Sequence, residues 1–561
     1  MVTLKEKWLV FSAWPYVNAI PHLGNLVGSI LSADIAARFL RMKNVEVVFA
    51  SGSDQHGTPI EVEAMKRNIN PKVLADEMHE RVTKLFEKWN ISFDIYTKTE
   101  SEIHVNFVKD FYDQVYKNGY IFSDIVQVLF CTKDKIYLPD RFVEGICPYC
   151  QYPKARGDQC DNCGRLLDPL ILIEARCVLC NSKPVIKESK HWFLDLSKLT
   201  DNIKNYIINN NNLPENAKNM SIQMIEEGLK PRSLTRDNRW GIEAPFPGAE
   251  GKTIYVWMEA VLGYVSAVQE YFKKREQPDR WKEFWLDRET KSVYFIGKDN
   301  IPFHTIILPA LLIASRKGYV LPWIVASTEY LMFEGEKFSK SRGVGIWIDE
   351  ALELLPADYW RFSLIAMRPE VRDVNFTWKG LQEVINSQLN DSIGNFIHRV
   401  LTLVKRRFNG IIPDPKSLRE IDRETLEKAW SKVDEIEKHM LEFRYKRALT
   451  EILEIASMGN TYINLQRPWE EPSPEAAKSL FTACSLVKTL IIVLAPIIPE
   501  SSRRAWEMLG YEEKVEEILW EEAKTTIQPG LKIRDPEPLF RKLTDEDIEG
   551  MKKKLESMRA R

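Results

Sequence analysis

The sequence lacks an uninterrupted apolar run of the roughly 20 residues that a membrane span needs. Its most apolar stretch, Leu490–Ile498, is broken by Pro496 and reads as a buried helix. It also lacks an excess of charge of one sign: 78 Lys and Arg against 80 Asp and Glu leave a formal net charge of −2. General electrostatic attraction to nucleic acid is thereby excluded, and any such partner must be held by local basic patches. Lys5 and Lys7 are followed by no apolar core or small-residue cleavage site, so the start reads as a strand and not as an export signal. Cysteine is scarce and clustered, with six of 8 lying in three Cys-x-x-Cys pairs between Cys147 and Cys180. Without an export signal that pattern favours metal over disulfides, and a cytoplasmic location. Internal repeats and low-complexity tracts are missing as well.

What is present suits a large globular chain. Apolar residues make up 44% and charged residues 28% of 561 positions, a length that suggests three or four domains. Trp8–Ala13 reads as a strand, Leu26–Met42 as an amphipathic helix and Val45–Ala50 as a second strand. Such a unit implies a parallel sheet with its ligand site at the carboxyl ends of the strands. From about Tyr120 to Leu196 the texture changes to cysteine, glycine, proline and short β-like runs, as in a metal-stapled insertion. Strand-like runs then return at Thr253–Trp257, Val293–Ile296 and Trp323–Ser327. Beyond Thr377 strands stop, and Leu381, Ile385, Leu389, Ile393, Ile397, Leu401 and Phe408 mark one stripe of a long helix. Similar stripes run to about residue 525, and the charged tail around Leu543, Ile548, Met551 and Leu555 suggests a short helix lying on the body. The fold expected is α/β, a Rossmann-type sheet with a zinc-stapled insertion, followed by an all-α bundle.

Two segments carry the chemistry. Pro21-His22-Leu23-Gly24-Asn25 occupies the turn between the first strand and its helix. Gly24 lets a nucleotide approach the backbone closely, and His22, Asn25 and the helix N-terminus supply donors toward phosphates. Lys337-Phe338-Ser339-Lys340-Ser341-Arg342-Gly343 places two lysines three apart in a loop with small residues, able to converge on a polyphosphate. Alone, each is as readily a chance turn or a solvated basic loop; together, one early and one late in the αβ body, they fit two sides of one ATP.

The pair resembles the HIGH and KMSKS signatures of class I aminoacyl-tRNA synthetases. The likeness spans nearly the whole chain and points to the methionyl family. It is carried by Ala13-Trp14-Pro15-Tyr16-Val17-Asn18, His22–Asn25, Gly52-Ser53-Asp54-Gln55-His56-Gly57-Thr58-Pro59, Tyr255-Val256-Trp257-Met258-Glu259-Ala260, Gly297-Lys298-Asp299 with His304, and the lysine loop. Asn25 stands where many such enzymes have a second histidine, and Phe338 replaces the usual methionine. The resemblance implies activation of L-methionine with ATP and Mg²⁺, then esterification of the terminal 2′-hydroxyl of tRNA(Met), elongator and initiator. His22, Asn25, Lys337 and Lys340 would be catalytic, and Gly24, Asn25, Gly297, Asp299, Lys337, Ser339 and Lys340 would hold ATP. Ala13, Trp14, Tyr16, Trp257, Ala260, Tyr264 and His304 would line the methionine pocket, and Asp54 would hold the ammonium. The weaker alternative is that Trp257 and Tyr264 are merely core. The chemistry agrees: a carboxylate attacking the α-phosphate needs no general base, only positioning and cationic stabilisation.

Cys147-x-x-Cys150 and Cys160-x-x-Cys163, nine residues apart, form a zinc-ribbon pattern. Cys177-x-x-Cys180 needs two more ligands. Cys131-x-x-Asp134 has the same spacing, where the methionyl family often has Cys-x-x-Cys, so a nested second zinc on Cys131, Asp134, Cys177 and Cys180 is expected, with His191 a rival fourth ligand. Such zincs would be structural. For tRNA, the family implies that Asn390, Arg399 and Trp469 read the anticodon, unstacked bases needing an aromatic platform with polar edges. Pro468 would open a helix there, and Trp469 could instead be its packed anchor. Lys405-Arg406-Arg407 is a candidate phosphate contact, or a solvated charge run. The divisions expected are 1–118 and 231–325 for the two halves of the catalytic domain, 119–230 for the insertion, 326–380 for the lysine-loop and stem-contact region, and 381–561 for the helical domain. With no OB-type module following the bundle, a monomer is expected.

Three rival readings are weaker. Isoleucyl, valyl and leucyl enzymes carry a large editing domain in the insertion, and a cysteinyl enzyme would keep zinc in the active site. A small-molecule nucleotidyltransferase would lack a helical bundle of this size. An inactive tRNA-binding relative would have no use for His22, Asp54, Lys337 and Lys340.

Overall fold

The structure is a computed structural model that describes residues 5–157, 160, 162–163, 165, 167–339 and 342–559. Lys340 and Ser341 lie outside the described residues. Strand β1 (Lys7–Ser12) alternates its faces: Trp8 and Val10 join one apolar core, Leu9 and Phe11 another on the opposite side. Helix α1 (Leu23–Met42) then leads to β2 (Glu46–Ser53) and β3 (Ile95–Lys98). The insertion is built on a long antiparallel pair, β4 (Ile121–Cys131) and β5 (Val185–Leu194), in register from Ile121↔Leu194 to Phe130↔Val185. Strands β6 (Lys291–Gly297) and β7 (Ile324–Thr328) then complete a five-stranded parallel sheet of order β7-β6-β1-β2-β3. Its order reverses between β1 and β6, the switch point at which such sheets bind ligands beyond their carboxyl ends.

The expected strand at Thr253–Trp257 is mostly absent. Only Thr253–Ile254 is extended, paired with Thr235–Arg236 outside the main sheet, and Val256–Ala260 is helical. A short apolar run does not by its periodicity separate a strand from a buried helix.

After the short helix α2 (Ile348–Leu354), the helical part begins where Thr377 caps Trp378–Glu383 through a bond from the Gly380 amide (3.0 Å). The helix continues through a wide π-type segment, Val384–Gly394, into Asn395–Phe408. Leu381, Ile385, Leu389, Ile393, Ile397 and Leu401 are all buried. Apolar residues spaced every four positions drift around a 3.6-residue helix, and the wider π turns keep this stripe on one face. Three long helices follow, α3 (Glu420–Leu441), α4 (Tyr445–Gln466) and α5 (Ser473–Leu494). By length and composition α1 and α5 could cross a membrane, but 89% and 94% of their most apolar windows are buried inside the protein. The charged tail is helix α6 (Asp545–Arg559), seated through Ile548, Met551 and Leu555.

Sheet and bundle meet at a buried polar joint. Arg361, fully buried, donates to Asp34 Oδ2 (2.6 Å) on α1 and to the carbonyls of Ile497 (2.8 Å), Pro496 (3.1 Å) and Trp89 (3.2 Å). Arg368 donates to Ser32 Oγ (2.8 Å) and the Phe443 carbonyl (2.9 Å), and the Tyr445 hydroxyl donates to the Ser32 carbonyl (2.9 Å).

Candidate active site

The turn after β1 is locked before anything binds. The Asn25 amide donates to His22 Nδ1 and the His22 amide to Asn25 Oδ1, both at 3.2 Å, a reciprocal cap on α1. With Nδ1 accepting, the ring proton sits on Nε2, the atom left to donate to a ligand. Burial pulls the His22 pKa down to about 4, so His22 is a neutral donor near pH 7 and not a cation.

The lysine loop comes to this turn. Phe338 stacks on the His22 ring, centroids 4.4 Å apart and planes within 13°. The segment after the loop is bonded alongside: the Leu23 amide donates to the Ile346 carbonyl and the Ile348 amide to the Pro21 carbonyl, each 3.0 Å. Ser339 and Val344 exchange amide–carbonyl bonds of 2.8 and 3.0 Å, closing the loop as a hairpin. A Cβ on Gly345, whose φ is +128°, would stand 2.2 Å from the Phe338 ring, so close approach and conformation both require glycine there. Lys337 lies over the Tyr330 ring at 5.2 Å. At the end of β6, Lys298 is engaged by Glu329 (2.6 Å) and Asp373 (2.8 Å), and Asp299 Oδ1 would lie 2.9 Å from a Cβ on Gly297.

Aromatic residues gather where β1 and β2 end. Tyr16 bridges to Asp54, and the Asp54 amide donates to the Pro15 carbonyl (3.0 Å). Trp14 is flanked by two glycines: a Cβ at Gly52 would meet its ring at 2.6 Å, and one at Gly263 at 2.7 Å. His304 and Tyr264 are joined by a 2.8 Å bond from the tyrosine hydroxyl to Nε2, while His304 Nδ1 lies 2.9 Å from the Asn300 carbonyl. Because a carbonyl only accepts, the His304 proton is on Nδ1. Burial lowers the His304 pKa to about 4, so the ring stays neutral and the pair satisfies itself. Trp257, stacked on Phe303 at 4.9 Å, is 38% exposed and so forms a rim and not core, whereas Tyr264 is buried as Ala260 is.

The residue-by-residue reading missed the charge cluster behind Asp54. His56, buried, sits between Glu259 (2.6 Å to Nδ1) and Glu100 (2.7 Å to Nε2). Burial opposes a charged His56, but the two carboxylates outweigh it and push its pKa up to about 10. Burial and the neighbouring Glu259 push the Asp54 carboxyl well above the usual carboxylate range. An arriving ammonium would bring a second cation beside Asp54 and favour its ionised form. Arg236 was also missed; it stacks on Tyr255 at 3.8 Å and pairs with Asp140 (3.1 Å).

Comparison with known proteins decides the family. Residues 8–401 match the family model "tRNA synthetases class I (M)", and residues 412–560 match "Anticodon binding domain of methionyl tRNA ligase". The methionine–tRNA ligase of Thermofilum pendens is 58% identical over 556 residues, covering 99% of this chain and 98% of that protein. That of Aeropyrum pernix is 52% identical over 564 residues, covering 99% and 98%. The chain belongs to the methionine–tRNA ligase family. A crystal structure of the Mycobacterium tuberculosis methionyl-tRNA synthetase bound by methionyl-adenylate shares the fold, with a TM-score of 0.79, 21% identity and coverage of 96% of this chain and 100% of that one.

In this member of the family the insertion brings together both sets of candidate metal ligands. Cys147, Cys150, Cys160 and Cys163 form one tetrad, and Cys131, Asp134, Cys177 and Cys180 the other; within each, the ligand atoms lie within 4.8 Å of one another. Sulfurs are 3.9 Å apart for Cys147–Cys163, 3.6 Å for Cys150–Cys160 and 3.5 Å for Cys131–Cys180. These spacings are far beyond a disulfide bond. They match the ~3.8 Å edge of a tetrahedron with Zn–S of about 2.3 Å. Asp134 Oδ2 lies 3.2 Å from Cys131 and 3.1 Å from Cys177, so the nested pairing fits zinc. His191 is engaged elsewhere, with Asp237 (2.8 Å) and Thr235 (2.9 Å), which removes it as a rival ligand.

At the far end of the bundle, Arg399 stacks over the Trp469 ring at 4.9 Å and donates to Asn464 (2.7 Å). Trp469 is 37% exposed and lies in a turn, not at a helix start; the next helix opens only after Pro472. The left-handed conformation of Arg467 ends α4 one residue before Pro468 and turns the chain aside. Trp469 is therefore not the anchor of a helix start. Asn390 is only 8% exposed and bonded to Asp391 (2.9 Å), so it is less available than Arg399 and Trp469. Lys405 pairs with Asp535, and Arg407 donates to the carbonyls of Trp469 (2.9 Å) and Glu471 (2.8 Å), bracing the turn; Arg406 is exposed.

Proposed function

We propose that this chain activates L-methionine with ATP to methionyl-adenylate and transfers the methionyl group to the terminal 2′-hydroxyl of tRNA(Met), elongator and initiator. The observation that carries the reading is the stacking of Phe338 on His22, which brings two segments more than 300 residues apart into contact.

The substrate carboxylate attacks the α-phosphate, a new O–P bond forms, and pyrophosphate leaves. The residues must hold three anionic groups in line. His22 Nε2–H and Asn25 donate to phosphate oxygens, and Lys337 with Lys340 neutralises the leaving group. Gly24 and Gly297 allow close backbone approach, with Asp299 and Ser339 at the edges of the nucleotide. Mg²⁺ on the phosphates supplies further charge compensation when bound. Asp54 takes the substrate ammonium. Ala13, Trp14, Tyr16, Trp257, Ala260, Tyr264 and His304 enclose the side chain. Because His304 and Tyr264 use their own donor groups on each other and on Asn300, the wall suits a thioether, a weak acceptor that favours ring edges.

We assign structural zinc to both tetrads, the anticodon to Arg399 and Trp469 with Asn390 in support, and a monomer working in the cytoplasm. The catalytic sheet would comprise 1–118 and 231–325, the insertion 119–230, the lysine-loop region 326–380 and the anticodon domain 381–561. The decisive assay is ATP–pyrophosphate exchange. Methionine-dependent exchange is expected; exchange with a different amino acid and not with methionine overturns the assignment.

A further inference from the structure

The tail helix α6 ends on the loop that works at the nucleotide. The guanidinium of Arg559 donates to the Gly343 carbonyl through Nη1 (2.7 Å) and to the Gly345 carbonyl through Nη2. Its Nε and Nη2 also bond the two oxygens of Glu350, each at 2.9 Å. Glu350 in turn accepts from the Trp347 amide (2.9 Å), and Arg559 lies over the Trp347 ring at 5.2 Å. Trp347 pairs through its backbone with His22. The two carbonyls held by Arg559 belong to the returning arm of the lysine hairpin, and Gly345 is the residue packed against Phe338, itself stacked on His22.

We propose that Arg559 is a positioning residue for the activation step, latching the returning arm of the lysine loop so that Lys337 and Phe338 meet the His22 turn in register. It touches no substrate atom. A planar guanidinium suits the task because its donors, fixed in one fork, can serve a carboxylate and two carbonyls together, which an ammonium does not. A loop of glycine and serine has many backbone conformations, and restricting them beforehand lowers the entropic barrier to an in-line arrangement. The remainder of α6 holds on by other means: Lys554 reaches Glu353, and Ile548, Met551 and Leu555 are buried, so the helix does not depend on Arg559 to dock.

This rests on the proposed activation of an amino acid with ATP, and the test separates the two. Wild type, Arg559→Ala, Arg559→Lys and Lys554→Ala are compared in methionine-dependent ATP–pyrophosphate exchange, with thermal midpoints measured in parallel. A wild type inactive with methionine removes the functional reading itself. With active wild type, Arg559→Ala is expected to lower kcat for exchange by roughly 10- to 100-fold, the loss of one or two charge-assisted bonds. The KM for methionine should stay within about two-fold, because the pocket at Trp14 and Tyr264 is not held by this latch. Arg559→Lys is expected to recover less than half of the loss on a logarithmic scale. Lys554→Ala, which loosens the same helix away from the loop, should leave the rates unchanged. Amide exchange at Gly343–Gly345 should accelerate in Arg559→Ala alone. An unaltered kcat in Arg559→Ala, equal losses in Arg559→Ala and Lys554→Ala, or a parallel rise in the KM for methionine overturns the proposal.

Discussion

Replacing Arg361 by Met tests the joint that holds α1, and with it the His22 turn, against the bundle. The side chain is fully buried and makes one ion pair and four carbonyl contacts, so the variant leaves Asp34 with only Arg38 and Ser92 as partners and those carbonyls short of a donor. Breaking a buried pair by removing one partner costs about 3–5 kcal/mol. Met retains volume, so little of that loss comes from a cavity. The pH dependence is a second signature. Burial alone would raise the Asp34 pKa, but Arg38, Arg361 and the Ser92 bonds outweigh it and hold it at about 2, against the usual 3.8. A carboxyl depressed by that difference, 3.8 − 2 or 1.8, stabilises the folded state by about 2 kcal/mol. The contribution is present above pH 3.8 and is lost as pH falls through 2, because below 3.8 the unfolded chain takes up the proton first. Without Arg361 the Asp34 pKa rises, and the acid unfolding midpoint moves up. Guanidinium unfolding, read at pH 7 and pH 4, should show the large loss, and the double variant Asp34→Leu/Arg361→Met should recover much of it. A loss below about 1 kcal/mol, or simple additivity in the double variant, would refute the reasoning.

Gly52→Ala should raise the KM for methionine at least roughly ten-fold and cost about 1–3 kcal/mol, since the new Cβ meets Trp14 at 2.6 Å and the immovable Thr97 carbonyl at 2.8 Å; exchange kinetics and thermal melting check it. Trp469→Ala should leave exchange intact and lower tRNA charging roughly 5- to 150-fold, the range for one lost base stack; equal damage to both reactions would return Trp469 to a packing role. Metal analysis should give two zinc ions per chain, falling to one in Asp134→Ala, and chelation should lower the melting temperature.

Much of the site was legible because it depends on local residue chemistry. Glycine beside histidine in a strand–helix turn, lysines in a loop, and cysteines at pair spacing each announce what they can bind. The stripe from Leu381 to Leu401 likewise announced its helix. What spacing leaves open is partnership. Thr253–Trp257 looked like a strand because its apolar content was legible and its neighbours were not. His191 looked like a ligand until Asp237 and Thr235 were seen to occupy it. Pro468 suggested a helix start, but the left-handed Arg467 turned the chain into an open corner where Arg399 could stack on Trp469.

The amino-acid order alone determined which residue types the protein can bring to a polyphosphate, a thioether and a metal, since donors, rings and thiolates carry their chemistry wherever they stand. Only the tertiary structure decided that Phe338 covers His22, that His56 lies charged between two carboxylates, that Arg361 closes the joint and that Arg559 reaches the lysine loop. Those are meetings between segments up to several hundred residues apart. They are set by which apolar faces bury together, and no local pattern records that.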